Sequence, residues 1–177
     1  MAELRPYTAA ELFSWIDERT DFLLLDVRNE EDAARFAVEG PFPVDTVNVP
    51  YFDFMEEEDA SCAKVTRDKP VRVVCAKEGS AKYVAEILVA YLAGGIVSWG
   101  NLLVPRRVNP TTDGFGLYQC VRPGKGSASY ALVHGGKMAL FDPSRNLAVY
   151  NSLADEQGAT IALSLETHLQ ADYISGS

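Results

Sequence analysis

The chain is 177 residues long, with a formal net charge of −9 and 47% hydrophobic residues. That length fits one ordinary domain or two small ones, and the composition is that of a soluble globular protein rather than a disordered tail. The acidic balance excludes the basic surface that general nucleic-acid binding needs, so no nucleic-acid partner is expected. The three cysteines are an odd, widely spaced set with no basic-then-apolar leader before them. The expectation is free thiols in a reducing cytoplasm.

Thr8-Ala9-Ala10-Glu11 has capping-box form, and Leu12, Phe13 and Ile16 continue it as an apolar helical stripe ending near Arg19. Phe22-Leu23-Leu24-Leu25 is a continuous apolar run, too short for a helix and suited to a strand covered on both faces. Asn29 caps a helix through Phe36. Thr46 to Val49 reads as a strand, and Phe52 to Lys64 as one acidic amphipathic helix. Val71 to Val74 is a strand that stops at Cys75, Ser80 to Leu88 a helix, and Val89 to Leu92 a strand. Strands alternating with helices predict a parallel α/β sheet with helices on both faces.

The stretch from Ile87 to Pro105 carries no charge and approaches the length of a membrane span. Its apolar residues come in two short bursts separated by Gly94 and Gly95, which reads as a buried strand, a glycine turn and a short helix. No membrane partner is expected. Residues 105–114 carry two prolines, polar residues and a glycine, and read as a linker between a domain at 1–104 and a segment at 115–177. Beyond the linker, strands are expected at Phe115–Val121, Ser129–Val133 and Lys137–Phe141, with Gly135-Gly136 as a hairpin turn. A helix at Asn146–Glu156 and a strand at Thr160–Leu165 follow.

The run Val73-Val74-Cys75-Ala76-Lys77-Glu78-Gly79-Ser80-Ala81 carries the chemistry. A strand delivers Cys75 to a tight loop that opens into a helix, at the strand end where α/β sheets bind ligands. Converging loop N–H groups and the helix dipole favour thiolate over thiol, which makes Cys75 a candidate nucleophile. Gly79 lets the loop curl, and Ser80 can donate inward. The bland alternative is a structural cysteine at a strand end. A cysteine phosphatase loop would need an arginine where Ala81 stands, so the group that holds a phosphoryl dianion is missing.

Leu24-Leu25-Asp26-Val27-Arg28, Val47-Asn48-Val49-Pro50, the Cys75 loop, and Leu92-Ala93-Gly94-Gly95 with Trp99 together resemble the rhodanese-like sulfurtransferases over residues 8–104. The resemblance implies that Cys75 carries sulfane sulfur as a persulfide, from a small sulfane-sulfur donor to a thiol acceptor. It implies further that Ala76, Lys77, Glu78, Gly79, Ser80 and Ala81 form the cradle around it. Asp26 and Arg28 then read either as a buried ion pair supporting the site or as substrate contacts. Two departures stand out. Glu78 brings a negative charge that disfavours small dianions such as thiosulfate. The helix ending near Leu88 also runs almost straight into the next strand, which reads as an internal deletion.

Gly126-Ser127-Ala128-Ser129-Tyr130, Phe141-Asp142-Pro143 and the stretch from Thr167 to Gly176 resemble the opening of a metallo-β-lactamase fold. The order of the two halves is similar to bacterial fusions of a rhodanese domain with a persulfide-dioxygenase or glyoxalase II-type domain. The family motif T-H-x-H-x-D-H is matched by His168 and Asp172, but Gln170 and Tyr173 stand where two further histidines belong. With only His134 and His168 in the chain, no metal cofactor is expected, and His168 and Asp172 read as remnants of a truncated, degenerate module. Phe115, Leu117, Tyr130, Leu132, Leu140 and Phe141 are then expected to stay partly exposed or to pack on the first domain. Unpaired strand edges favour homo-oligomers. Two function classes follow: a sulfurtransferase working through Cys75, and a noncatalytic carrier, interaction module or decayed fragment of such a fusion.

Overall fold

The computed structural model describes residues 5–66, 68–88, 90–111 and 114–167, the side chains of 78, 87 and 88 excepted. The chain divides into two compact units, 1–102 and 103–177. The first unit is α/β, with a five-stranded, fully parallel sheet in the order β1-β5-β4-β2-β3. Its strands are β1 (Arg5–Tyr7), β2 (Leu23–Asp26), β3 (Thr46–Asn48), β4 (Val71–Val74) and β5 (Ala90–Leu92). Its helices are α1 (Ala9–Asp17), α2 (Glu30–Arg35), α3 (Tyr51–Glu56), α4 (Glu58–Ala63), α5 (Glu78–Leu88) and α6 (Gly95–Asn101).

Local chemistry explains most of these boundaries. The Thr8 hydroxyl accepts from the Glu11 N–H while the Glu11 carboxylate accepts from the Thr8 N–H at 2.8 Å, closing the expected capping box on α1. All four residues of β2 are buried, as a strand with neighbours on both sides and layers on both faces requires. Leu23, Leu25 and Val27 point to one face, where Phe54, Val65, Val73, Ala81 and Val84 complete a core. Leu24, one residue out of step, points to the other. Among the described residues no helix is long and apolar enough to cross a membrane. The uncharged stretch instead holds β5, the Gly94-Gly95 turn and α6.

Three features of this unit differ from the sequence reading. β1 was not expected; it adds to the sheet by pairing with β5, from Arg5 opposite Ala90 to Tyr7 opposite Leu92. The single acidic helix predicted over 52–64 is two short helices, because Glu57 adopts a non-helical conformation at φ −140° and ψ 71°. α5 begins at Glu78 rather than Ser80, so much of the expected loop is helix.

The second unit is a five-stranded sheet in the order β10-β9-β8-β7-β6. It comprises β6 (Val104–Arg107), β7 (Gly116–Arg122), β8 (Ser127–His134), β9 (Lys137–Phe141) and β10 (Thr160–Leu165), with α7 (Leu147–Glu156) between the last two strands. β6 to β9 are antiparallel neighbours, and β10 returns parallel to β9 after α7. Gly135 and Gly136 both hold positive φ, the conformation that a two-residue hairpin turn demands. β6 occupies the start of the expected linker. As an edge strand it tolerates Pro105, whose missing N–H is no loss on a free edge.

This unit has a core of its own: Tyr118, Cys120, Ala131, Met138 and Leu140 meet Tyr150, Leu153 and Ala154 of α7. Leu140, expected to stay partly exposed or to pack on the first domain, is buried within this core, because α7 covers that face of the sheet. Tyr150 fixes the helix by its hydroxyl, which lies 2.6 Å from the Ser129 hydroxyl and accepts from the Ser144 N–H at 2.9 Å.

Candidate functional site

β4 lies in the sheet between β5 and β2 and ends at Val74. The next residue, Cys75, is 8% exposed and packs in the same core as Val73 and Ala81. The chain bends over Ala76 and Lys77, both exposed, and α5 starts at Glu78. Cys75 is therefore placed at the C-terminal edge of a parallel sheet, three residues before the positive end of an eleven-residue helix.

What holds the Cys75 backbone comes from the segment after β5. The Ile96 N–H donates to the Cys75 carbonyl at 2.7 Å. Gly95, at φ +58°, comes so close that a Cβ there would stand 2.6 Å from the Cys75 carbonyl oxygen and 2.8 Å from that of Ala76. Both the backbone angle and the backbone-on-backbone contact demand glycine. The Ser98 hydroxyl secures this turn, lying 2.7 Å from the Ala93 carbonyl oxygen and 2.8 Å from that of Gly95. Upstream, the buried Tyr7 hydroxyl donates to the Val73 carbonyl at 3.0 Å. Burial raises the Tyr7 hydroxyl far above the usual tyrosine range, with Arg72 opposing, so it stays a donor at any working pH. The sequence reading assigned no such role to Tyr7 or Ile96. The adjacent glycines of Gly94-Gly95 were the one available signal, since such pairs often mark positive φ.

The residues expected to form the cradle fall into two local structures. Ala76 and Lys77 form the bend, and Glu78, Gly79, Ser80 and Ala81 belong to the first turn of α5. Ala81 is 0% exposed and its side chain faces the core. Ser80 is half-buried. Gly79 has no positive φ, and a Cβ there would meet nothing within 4 Å. The curl attributed to Gly79 is supplied instead by the helix start itself.

Asp26 and Arg28 adopt the ion-pair alternative. The Arg28 Nε donates to both carboxylate oxygens of Asp26, at 3.0 and 3.1 Å, and its Nη2 donates to Asp26 Oδ2 at 2.5 Å. The same guanidinium reaches the Asp32 carbonyl at 3.0 Å and the Phe36 carbonyl at 2.6 Å, tying α2 to the sheet. Asn48 completes the brace by donating to the Asp26 and Arg28 carbonyls, each at 2.8 Å. This set of partners braces α2 against the end of β2.

Cys62 lies on α4 and packs at the margin of the core that includes Cys75. Cys120 is fully buried in β7, and burial pushes its thiol up to about 11, with a hydrogen bond to Ser129 opposing. His134 sits at the hairpin, its Nδ1 3.2 Å from the Gly114 carbonyl oxygen. Asp142, at φ +49°, accepts from the Thr167 N–H at 2.6 Å and from its hydroxyl at 2.7 Å. His168, Gln170, Asp172 and Tyr173 lie outside the described residues. Among the described residues no group of three His, Cys, Asp or Glu side chains is placed to hold a metal. An open cleft of about 380 Å³ lined by Ile16, Arg19, Phe22, Phe42 and Val44 lies at the entry to β2 and β3, the opposite end of the sheet from Cys75.

No family model and no curated protein matches the sequence. Among solved structures, the chain is similar to the crystal structure of a rhodanese-related protein from Thermoplasma volcanium. The two share 25% sequence identity with a TM-score of 0.42, over 54% of this chain and 89% of that one.

Proposed function

We propose that the chain is a rhodanese-type sulfurtransferase that carries sulfane sulfur on Cys75. The observation that carries this reading is the placement of Cys75: one residue past β4, directly before α5, with its carbonyl held by Ile96 and packed against Gly95. That backbone is fixed, so the position of the thiol at the strand end is set before a donor arrives. In the first half-reaction the Cys75 thiolate attacks the sulfane sulfur of a donor. A new S–S bond forms to Cys75, the donor's own S–S bond breaks, and the donor leaves as a thiolate or sulfite with the electron pair. In the second, an acceptor thiolate attacks the outer sulfur, and the pair returns to Cys75. No cofactor is needed for either step. The Asp26–Arg28 strut serves the site by holding the neighbouring strand end and not by binding substrate.

The second unit is read as a metallo-β-lactamase-like layer that contributes no catalytic metal. The free cysteines fit a reducing compartment such as the cytoplasm.

The low exposure of Cys75 favours a second reading, a noncatalytic carrier or interaction module in which Cys75 only packs. Transfer of labelled sulfur from a sulfane donor to the chain, and on to a thiol, separates the two. The sulfurtransferase reading expects label on Cys75 and its release by the acceptor. The packing reading expects none.

A further inference from the structure

At the edge of the sheet that carries Cys75, the first unit exposes an apolar surface. Phe52 is 67% exposed, Met55 56% and Tyr83 41%. The surface is continuous. The Tyr51 ring lies 5.0 Å from the Phe52 ring and meets the Tyr83 ring edge-on at 5.8 Å, and Met55 stands one helical turn along α3.

Its position follows from the sheet. The Tyr51 N–H donates to the Val27 carbonyl, and the Val27 N–H donates to the Val74 carbonyl, both at 2.9 Å. Tyr51 and Cys75 thus share the C-terminal edge of the sheet, and Tyr83 lies on the helix that Cys75 precedes. Exposed aromatic and methionine side chains in one patch are what protein interfaces enrich, and they offer nothing to a small anion.

The charge beside the patch selects the occupant. α3 runs directly into Glu56, Glu57, Glu58 and Asp59, four consecutive carboxylates that border an open depression with Ala60. The neighbouring Lys64 is engaged by Asp53 at 3.5 Å, which leaves the rim strongly negative.

We propose that the acceptor of Cys75's sulfur is a thiol on a partner protein, which docks on Tyr51, Phe52, Met55 and Tyr83 through a cationic amphipathic segment. The apolar side chains of that segment cover the patch, and its Lys or Arg residues face the Glu56–Asp59 rim. Docking sets the partner's thiolate against the persulfide. The thiolate takes the outer sulfur in a new S–S bond, the bond to Cys75 breaks, and its electron pair returns to Cys75. The delivery role rests on the sulfurtransferase reading; the docking surface does not.

The test uses the full chain and a labelled short amphipathic peptide of Leu and Lys, read by fluorescence anisotropy. Matched Leu/Glu and Ser/Lys peptides serve as controls. The Leu/Lys peptide is expected to bind best, and Phe52→Ser with Met55→Ser to weaken it by about tenfold. Replacing Glu56, Glu57 and Glu58 by Gln and Asp59 by Asn should give a similar loss at low salt and a smaller one at high salt. Asp155→Asn with Glu156→Gln, the same kind of change on α7, should leave binding unchanged. Circular dichroism confirms that each variant is folded.

Equal binding by the patch, rim and α7 variants overturns the docking surface, as does equal binding of the Ser/Lys peptide. Sulfur loading of Cys75 is measured separately by mass. Loading without site-specific docking removes only this proposal, and docking without loading removes the delivery role together with the sulfurtransferase reading.

Discussion

The Ile96 N–H donates to the carbonyl oxygen of Cys75 at 2.7 Å, so the turn after β5 grips the backbone of the residue after β4. Gly95 allows that grip. A Cβ on it would run into the Cys75 and Ala76 carbonyl oxygens, which are backbone and cannot swing aside as a flexible side chain can.

Two glycine substitutions are therefore expected to act in opposite directions. Gly95→Ala should destabilise the chain by about 2–4 kcal/mol, from strain at positive φ plus displacement of the Cys75 bend. Gly79→Ala, in open space in the first turn of α5, should be neutral or stabilising by up to about 1 kcal/mol. Urea denaturation of both variants checks this. Equal losses would mean that the Cys75 bend is not held by Gly95.

How far the sequence disclosed this arrangement depends on the residue. The Thr8 capping box, the apolar run of β2 and the strand that ends at Cys75 were legible because each is a local pattern. β1 was not, since Arg5-Pro6-Tyr7 has no periodicity and becomes a strand only by pairing with β5. The break at Glu57 has no glycine or proline to announce it. The local pattern at the loop points to Gly79 as the residue that lets it curl. The loop's support comes from a turn twenty residues later, and no local rule says which glycine will be pressed against which carbonyl.

The strut between Asp26 and Arg28 gives a second stability prediction. Asp26→Asn leaves a buried guanidinium without its counter-charge and should cost about 3–5 kcal/mol. Arg28→Lys keeps the charge but loses the planar fork that reaches Asp26, the Asp32 carbonyl and the Phe36 carbonyl together, so it should rescue little. Thermal unfolding distinguishes this from a substrate-binding role, which would leave stability unchanged and lower activity alone.

Glu78 should tune donor choice through its charge, three residues from Cys75. Glu78→Gln is expected to raise kcat/KM for thiosulfate more than for glutathione persulfide, because the smaller dianion is repelled more strongly. Equal changes for the two donors would remove Glu78 from the account.

Cys120 provides a pH prediction for the second unit. Burial pushes its thiol up to about 11 in the folded chain, from the ordinary value of 9.0. The unfolded thiol loses its proton first as pH rises, so the contribution of this group is constant below about 9 and is lost between about 9 and 11. Cys120→Ala should flatten that part of the stability–pH curve relative to the parent chain. An unchanged curve would show that Cys120 does not contribute to the alkaline loss.

The most direct test of the central claim is the intact mass of the chain after incubation with thiosulfate or glutathione persulfide. The account predicts one added sulfur atom located on Cys75, absent from Cys75→Ser and discharged by an added thiol. No added sulfur, or the same gain in Cys75→Ser, would contradict it.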